Sequence, residues 1–325
     1  MADNQRPKIA VGGSIAFDLI MDFPGFFKDH ILPEKLHVIN ISFLVGELRK
    51  QRGGCAPNIA YTLALLGEAP RVVGAAGRDF SEYEVWLHEQ GIDTAGVRVF
   101  DRETTASCYI TTDQARNQIT GFHPGAMKRA GEISFREAMG DNVSMAIVAP
   151  DDPDAMLRHA KEIREAGVRL IFDPSFQCTA LDGEKLMQGA RGAHVLVLND
   201  YEFAVFQEKT SLTREQLLQE IEMIIVTYGE KGSEIFLRDG SSVKVDAAKV
   251  SAVVDPTGAG DAWRGGFLAG YQRSLPLETC MRMGSIAAAY CIENYGTQNH
   301  AYTFEQFSQR YAENFGESLV APVRK

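Results

Sequence analysis

The sequence contains no apolar run near the ~18 residues that a membrane-spanning helix requires, and Met1 to Lys8 is polar, without the apolar centre of a secretory signal. No membrane partner is expected, and the expected location is the cytoplasm. Cysteine is sparse: Cys55, Cys108, Cys178, Cys280 and Cys291 form no C-x-x-C pair and no Cys/His cluster at zinc-finger spacing. A disulfide framework and a structural zinc are thereby excluded. Basic charge is also short, with 33 Lys and Arg against 43 Asp and Glu and a formal net charge of -10. Nucleic acid is therefore not an expected partner, because gripping it takes clustered cations that displace counterions from phosphates. A G-x-x-x-x-G-K-[ST] run is missing too, so any nucleotide must be held by something other than a Walker loop.

What is present is an ordinary globular composition, 45% hydrophobic and 23% charged over 325 residues. At about 150 residues per unit, this length corresponds to roughly two structural units. The runs Ile9 to Val11, Val143 to Ala149, Val168 to Asp173, Val195 to Asn199 and Met223 to Tyr228 have the length and composition of buried strands. Between them, Asp154 to Ala166, Glu202 to Glu208 and Thr213 to Ile221 have helical length. This alternation predicts an α/β fold with a mostly parallel central sheet covered by helices on both faces. Its ligand site should lie beyond the carboxyl ends of the strands.

Two stretches break the alternation. Leu19 to Lys50 gathers Phe23, Phe26, Phe27 and Phe43 with Pro24 and Pro33 and has no sustained helical period. Arg98 to His123 offers two strand-like runs, Ala106 to Thr112 and Gln118 to Phe122, around the polar turn Asp113 to Asn117. Together they are expected to form a small antiparallel β-sheet, a lid of residues 19–50 and 98–123. The large domain would then comprise residues 1–18, 51–97 and 124–325. An exposed apolar sheet edge also predicts a homodimer through the lid, since pairing hides it.

The richest motif is Asp255-Pro-Thr-Gly-Ala-Gly-Asp261, which leads into a small-residue segment with helical spacing at Phe267, Leu268 and Tyr271. Gly258 and Gly260 permit a tight turn with no side chain over the amides, and free amides at a helix start favour phosphate oxygens. Asp261, at the rim of that hole, can accept a proton from an attacking hydroxyl. A plain turn with Asp261 as a helix cap reads the same residues without chemistry. The motif resembles the C-terminal signature of the ribokinase-like (PfkB) carbohydrate and nucleoside kinases, whose phosphate site is this anion hole.

Three further segments match that family in order. Gly53-Gly54-Cys55-Ala56-Pro57-Asn58 opens a helix that Gly67 should stop, and it resembles the N-terminal signature, in which Gly54 and Asn58 would contact substrate hydroxyls. Asn199-Asp200-Tyr201-Glu202 resembles the N-x-x-E motif, where Asn199 and Glu202 would organise Mg2+ through its waters. Read alone, it is a helix cap. Thr227-Tyr-Gly229-Glu-Lys231-Gly232 resembles the G-x-x-G loop near the nucleotide phosphates, and a hairpin turn reads it equally. With Thr257, Gly258 and Gly260, the residues Asn199, Thr227, Gly229 and Gly232 form the implied nucleotide site. The implied cofactors are ATP as phosphoryl donor and Mg2+, and a monovalent cation such as K+ is compatible with them.

The segments Gly13-Ser14-Ile-Ala-Phe-Asp18, Phe23-Pro-Gly-x-Phe27, Leu32-Pro-Glu34, Phe122-x-Pro-Gly-Ala-Met127 and Asp173-Pro-Ser-x-Gln177 resemble bacterial adenosine kinases. That likeness implies a ribose held by Ser14, Asp18, Gly54 and Asn58. Phe122 would stack on the base and Gln177 would hydrogen-bond it. A carboxylate such as Asp18 suits a diol, because it accepts from two neighbouring hydroxyls. Cys108 and Phe176 depart from the pattern, which expects an aromatic and a Gln there. Tyr109 cannot replace the ring without a register change, since adjacent strand residues face opposite ways.

The expected reaction is phosphoryl transfer from ATP to the adenosine 5′-hydroxyl, giving AMP and ADP. Asp261 would take the proton, while the amides of Ala259 to Asp261 and the charge of Arg264 stabilise the transferring group. Arg264 is equally readable as an ion-pair partner. A ribose or fructose kinase, a broader nucleoside kinase and a non-catalytic sensor on the same fold are the alternatives. An NAD-binding fingerprint is excluded, because Val11-Gly-Gly-Ser-Ile-Ala-Phe lacks G-x-G-x-x-G spacing.

Overall fold

A computed structural model describes residues 7–31, 37–38 and 40–319 of the chain. Leu32-Pro33-Glu34 and most of the polar N-terminal stretch lie outside the described residues. The strands, in chain order, are β1 (Lys8–Gly12), β2 (Ala16–Asp22), β3 (Glu47–Gly53), β4 (Pro70–Gly77), β5 (Asp93–Phe100), β6 (Ala106–Thr112) and β7 (Gln118–His123), then β8 (Val143–Val148), β9 (Arg169–Phe172), β10 (Val195–Asn199), β11 (Met223–Thr227), β12 (Ser233–Leu237) and β13 (Ser242–Val245). The α-helices are α1 (Cys55–Leu65), α2 (Ser81–Glu89), α3 (Phe135–Met139), α4 (Pro153–Glu165), α5 (Gly183–Ala190), α6 (Asp200–Thr210), α7 (Arg214–Glu220), α8 (Ala259–Gln272), α9 (Leu277–Ile292) and α10 (Phe304–Phe315).

The large sheet has the order β13-β12-β11-β10-β9-β8-β1-β4-β5. It is parallel from β11 to β5, and β12 and β13 extend it antiparallel. Its central strands are apolar through their interiors, as in Val195 to Leu198 and Met145 to Val148, because both faces are covered. In β10, Val195 and Val197 enter one core and Leu196 and Leu198 the other. Helices α1, α2, α8, α9 and α10 supply the first core, and α3 to α7 the second. The result is the ribokinase-like three-layer α/β/α arrangement expected above. No helix among the described residues is long and apolar enough to cross a membrane.

The small sheet has the order β3-β2-β6-β7. Its two outer pairs are antiparallel, as expected, and β2 and β6 join them by parallel pairing at the centre. Register places Gln51, Asp18, Cys108 and Phe122 in one row across all four strands. The expected domain boundaries differ from the strand ends. Those at 18/19 and 50/51 fall inside β2 and β3, and that at 97/98 falls inside β5, whose pairing with β4 puts it in the large sheet. The physical reason is that strands continue until backbone pairing stops, and β2 and β3 stay paired to Ala16 and Gly53.

Helix starts follow local chemistry. Asn199 and Glu202 form a capping box at α6, Asp152 with Pro153 opens α4, and Thr213 with Gln216 opens α7. Gly67 (φ +79°) follows the end of α1 as the sequence predicted.

Candidate active site at the carboxyl edge of the sheet

The Asp255–Asp261 segment is braced as a turn before it becomes α8. Asp255 accepts the Thr257 amide through Oδ1 at 2.9 Å and the Gly296 amide through Oδ2 at 3.0 Å. Gly258 adopts φ +78°, and a Cβ there would lie 2.8 Å from Thr297 Cγ2. Only glycine meets both demands. Ala262 then donates to the Gly258 carbonyl at 2.9 Å, and Ala259 donates to Pro256 at 3.3 Å. The amides of Gly260 and Asp261 are thus the first-turn donors without a helical partner. The donor set expected over Ala259 to Asp261 narrows to these two, because the turn consumes the Ala259 amide.

Asp261 meets Asn58 of α1, whose Nδ2 donates to Asp261 Oδ2 at 2.8 Å. The two residues, 203 positions apart, come together because Gly265 lets α8 approach α1. A Cβ on Gly265 would lie 2.6 Å from Thr62 Cβ. Burial holds the Asp261 carboxyl above the usual carboxylate range, against the downward pull of the Asn58 hydrogen bond, the Arg264 charge and the Cys55 hydrogen bond. Asp18 faces the same region from β2. Burial first, then the charges of Asp255 and Asp261, raise its pKa to about 6. Gly53 leaves Asp18 its space, since a Cβ there would lie 2.6 Å from Asp18 Oδ2. Gly54 turns the chain into α1 at φ +95°.

Arg264 is not a free cation. Its Nη2 donates to Asp173 Oδ1 at 2.7 Å, and its Nε lies against Asp173 Oδ2. The two residues are 7% and 0% exposed, so this is a buried ion pair, joined by one charge-assisted hydrogen bond, that holds the end of β9 to α8. Asp173 and Asp261 both hold the guanidinium protonated against its burial. Glu202 adds to that field and accepts from the Asn199 amide (2.8 Å) and the Ser175 hydroxyl (3.2 Å). Asn199 Oδ1 accepts the Glu202 amide at 2.8 Å. Among the described residues no group of three or more His, Cys, Asp or Glu forms a metal cage. Glu202 keeps acceptor capacity on both oxygens, so the donor set fits Mg2+ held through its waters and does not fit a directly ligated ion.

The remaining expected residues lie along the same edge in other roles. Ser14 Oγ accepts the Cys55 amide at 3.2 Å, bracing the start of α1. Phe122, 50% exposed, stands beside Cys108 on the small-sheet row that carries Asp18. Gln177 is buried and donates to the Asp151 carbonyl at 2.7 Å, whereas its neighbour Phe176 is 56% exposed. The amide expected to read a base is therefore engaged with backbone. Thr227, Gly229 and Gly232 form the turn joining β11 to β12, with Tyr228 donating to the Gly232 carbonyl at 2.8 Å. Among the described residues, no hydrogen bond or ion pair joins this turn, Phe122 or Gln177 to Asp261. A separate cleft of about 750 Å³ lies between α5 and the ends of α4 and α6. Its Arg164 and Lys209 are spent on the carbonyls of Gln188, Gly189, Thr179 and Leu181.

Several contributors escaped the sequence reading. Gln298 Nε2 donates to Asn58 Oδ1 and to Tyr83 Oη, each at 2.6 Å, and Tyr83 donates to the Gly53 carbonyl at 3.0 Å. Neither Gln298 nor Tyr83 lies in one of the motifs singled out above, so no local signal marked them.

Residues 8–303 match the model of the pfkB family of carbohydrate kinases. The chain is 31% identical to a nucleoside kinase of Methanocaldococcus jannaschii over 306 residues, 93% of this chain and 96% of that protein. It is 26% identical to a cytidine kinase of Thermococcus kodakarensis over 75% of this chain and 88% of that one. The structure of Burkholderia thailandensis nucleoside kinase in complex with inosine superposes with a TM-score of 0.85 at 37% identity, covering 95% of this chain and 99% of that one. The braced glycine turn, the Asp261 carboxylate that follows it and the match along nearly the whole chain agree, and the protein belongs to the pfkB family of carbohydrate kinases.

Proposed function

We propose that the protein is an ATP-dependent nucleoside kinase that phosphorylates the 5′-hydroxyl, with adenosine as the first acceptor to test and other nucleosides as the broader class. The observation that carries this reading is Asp261 on the open first turn of α8, bonded to Asn58, with the Asp18–Cys108–Phe122 row of the lid opposite. Asp18 supplies a diol acceptor and Phe122 an apolar face for a flat base. A free sugar has no use for the exposed rings of Phe122 and Phe176. The names of the relatives, a nucleoside kinase, a cytidine kinase and an inosine-bound structure, support the class.

In this reading the acceptor oxygen attacks the γ-phosphorus of ATP, the bond to the β-phosphate oxygen breaks, and Asp261 takes the hydroxyl proton. The Gly260 and Asp261 amides hold the transferring oxygens. Bound Mg2+ would neutralise phosphate charge, with Asn199 and Glu202 positioned to orient its waters. Thr227, Gly229, Gly232 and Thr257 line the approach of the nucleotide.

ADP release with ATP and Mg2+ should be measured against adenosine, inosine, guanosine, cytidine, ribose and fructose. Turnover on nucleosides supports the reading, turnover on free sugars alone replaces it with the sugar-kinase reading, and no turnover on any favours a sensor. The lid also supports a homodimer. On the face opposite Asp18, register aligns Met21 with Leu48 and Thr111, and Thr111 with Ile119, while Leu48, Tyr109 and Ile119 are 61%, 47% and 44% exposed. A monomeric mass by light scattering at working concentration counts against it.

A further inference from the structure

We propose that Gln298 is a positioning residue whose amide, locked by Tyr83 and the Gly53 carbonyl, fixes the direction of the Asn58–Asp261 hydrogen bond and so holds Asp261 in its proton-accepting form. The inference rests on the reading of Asp261 as the proton acceptor.

The direction follows from one group that cannot turn round. The Gly53 carbonyl only accepts, so the Tyr83 hydroxyl, 3.0 Å away, donates to it. With its proton committed, Tyr83 Oη receives from Gln298, and the contact at 2.6 Å is Nε2–H to oxygen. The second Nε2 proton goes to Asn58 Oδ1, also at 2.6 Å. Asn58 must then present its own amide protons to Asp261, as it does at 2.8 Å. Reversing the chain would turn the Asn58 carbonyl toward Asp261, which an ionised carboxylate repels and only a protonated one tolerates. The fixed polarity therefore favours the ionised carboxylate.

The arrangement is not explained by satisfaction of Gln298 itself. Gln298 is 3% exposed, and its Oε1 is buried without a hydrogen-bond partner. Leaving such an oxygen bare is costly, and the two short bonds from Nε2 are what offset that cost. Tyr83 and Asn58 are likewise buried, so water does not compete for these groups. The other charged or titratable groups facing Asp261 are Arg264 on its own helix, Cys55 on α1, Asp18 on β2, Asp173 at the end of β9 and Cys291 on α9. Of these only Arg264 opposes the upward push of burial as strongly as a full charge can, and it is shared with Asp173.

The test is the titration midpoint of the Asp261 carboxyl, followed by 13C NMR in the full-length protein and assigned with Asp261→Asn, alongside the acid limb of kcat/KM. Gln298→Met removes both donors without adding charge. With Asn58 free to turn, its charge-assisted hydrogen bond to Asp261 is weakened, which predicts a rise of about one pH unit in both readouts. The kcat plateau well above the midpoint should stay near that of the unaltered protein, a split that general loosening of the fold would not give. Tyr83→Phe, which frees Gln298 to turn, should move the midpoint the same way by less, and it serves alone if Gln298→Met does not fold. An unmoved midpoint in a folded variant overturns the inference. A midpoint that moves in a protein with no kinase activity leaves the hydrogen-bond inference standing and removes the proposed function.

Discussion

Arg264 in α8 and Asp173 beyond β9 form an ion pair with almost no exposure to water, and it ties α8 to the carboxyl edge of the sheet. Removing one partner strands the other charge in the interior. Arg264→Met or Asp173→Leu should each lower stability by about 3–5 kcal/mol, whereas the double variant should recover most of that loss. Chemical denaturation of the three proteins checks this. Equal destabilisation in single and double variants would show that the pair contributes packing alone.

Asp18 should make nucleoside affinity depend on pH. Its folded-state pKa is raised from 3.8 to about 6, so the empty protein binds this proton more tightly than the unfolded chain does. The associated stability is complete below about 3.8 and is lost as pH rises through about 6. A ribose diol needs the ionised form, so affinity should fall by about tenfold per unit as pH drops below about 6 and level off above it. Calorimetric titration without ATP measures the slope. Asp18→Asn should bind more weakly and lose this segment of the profile.

Asp261→Asn keeps the shape of the side chain and its bond from Asn58 but removes the proton acceptor. We expect kcat to drop by about a hundred- to ten-thousandfold with nucleoside affinity little changed. Turnover close to that of the unaltered enzyme would remove Asp261 from the chemistry.

Two glycines in left-handed conformations should respond differently to alanine. Gly240 (φ +85°) has open space around its absent side chain, so Gly240→Ala should cost only the conformational strain, about 1–2 kcal/mol. Gly258→Ala adds a collision with Thr297 and disturbs the turn that presents the Gly260 and Asp261 amides. Its thermal midpoint should fall further, and KM for ATP should rise, which Gly240→Ala does not require. Melting curves and ATP saturation curves separate the two.

The parallel core was legible in sequence because strands buried on both faces carry near-continuous apolar runs, as in Val195 to Leu198. Strands β2 and β3 were not, since Glu47–Gly53 reads Glu-Leu-Arg-Lys-Gln-Arg-Gly and a two-sided, half-solvated strand has no clean alternation. Strand β5 was cut in two because Asp93, Gly96 and Arg98 interrupt its apolar run. In the site, Asp261, Gly258 and Asn58 were marked by their own local motifs. The partners that orient them were not. Gln298 lies 240 positions from Asn58, and Asp173 lies 91 from Arg264, so only folding reveals that these polar side chains spend their hydrogen bonds on each other. Gln177 shows the reverse case: its identity signalled recognition, but its amide is committed to the Asp151 carbonyl.

The third residue of β2 is Asp18, which therefore belongs to the small sheet, while Asn58 and Asp261 ride on helices of the large domain. Under the proposed function, a nucleoside gripped by all three would bridge two bodies, and its sugar would become the latch between them. Any swing of the small sheet that drew Asp18 away would also unclasp the sugar, so release of the phosphorylated product and opening of the enzyme would become a single event.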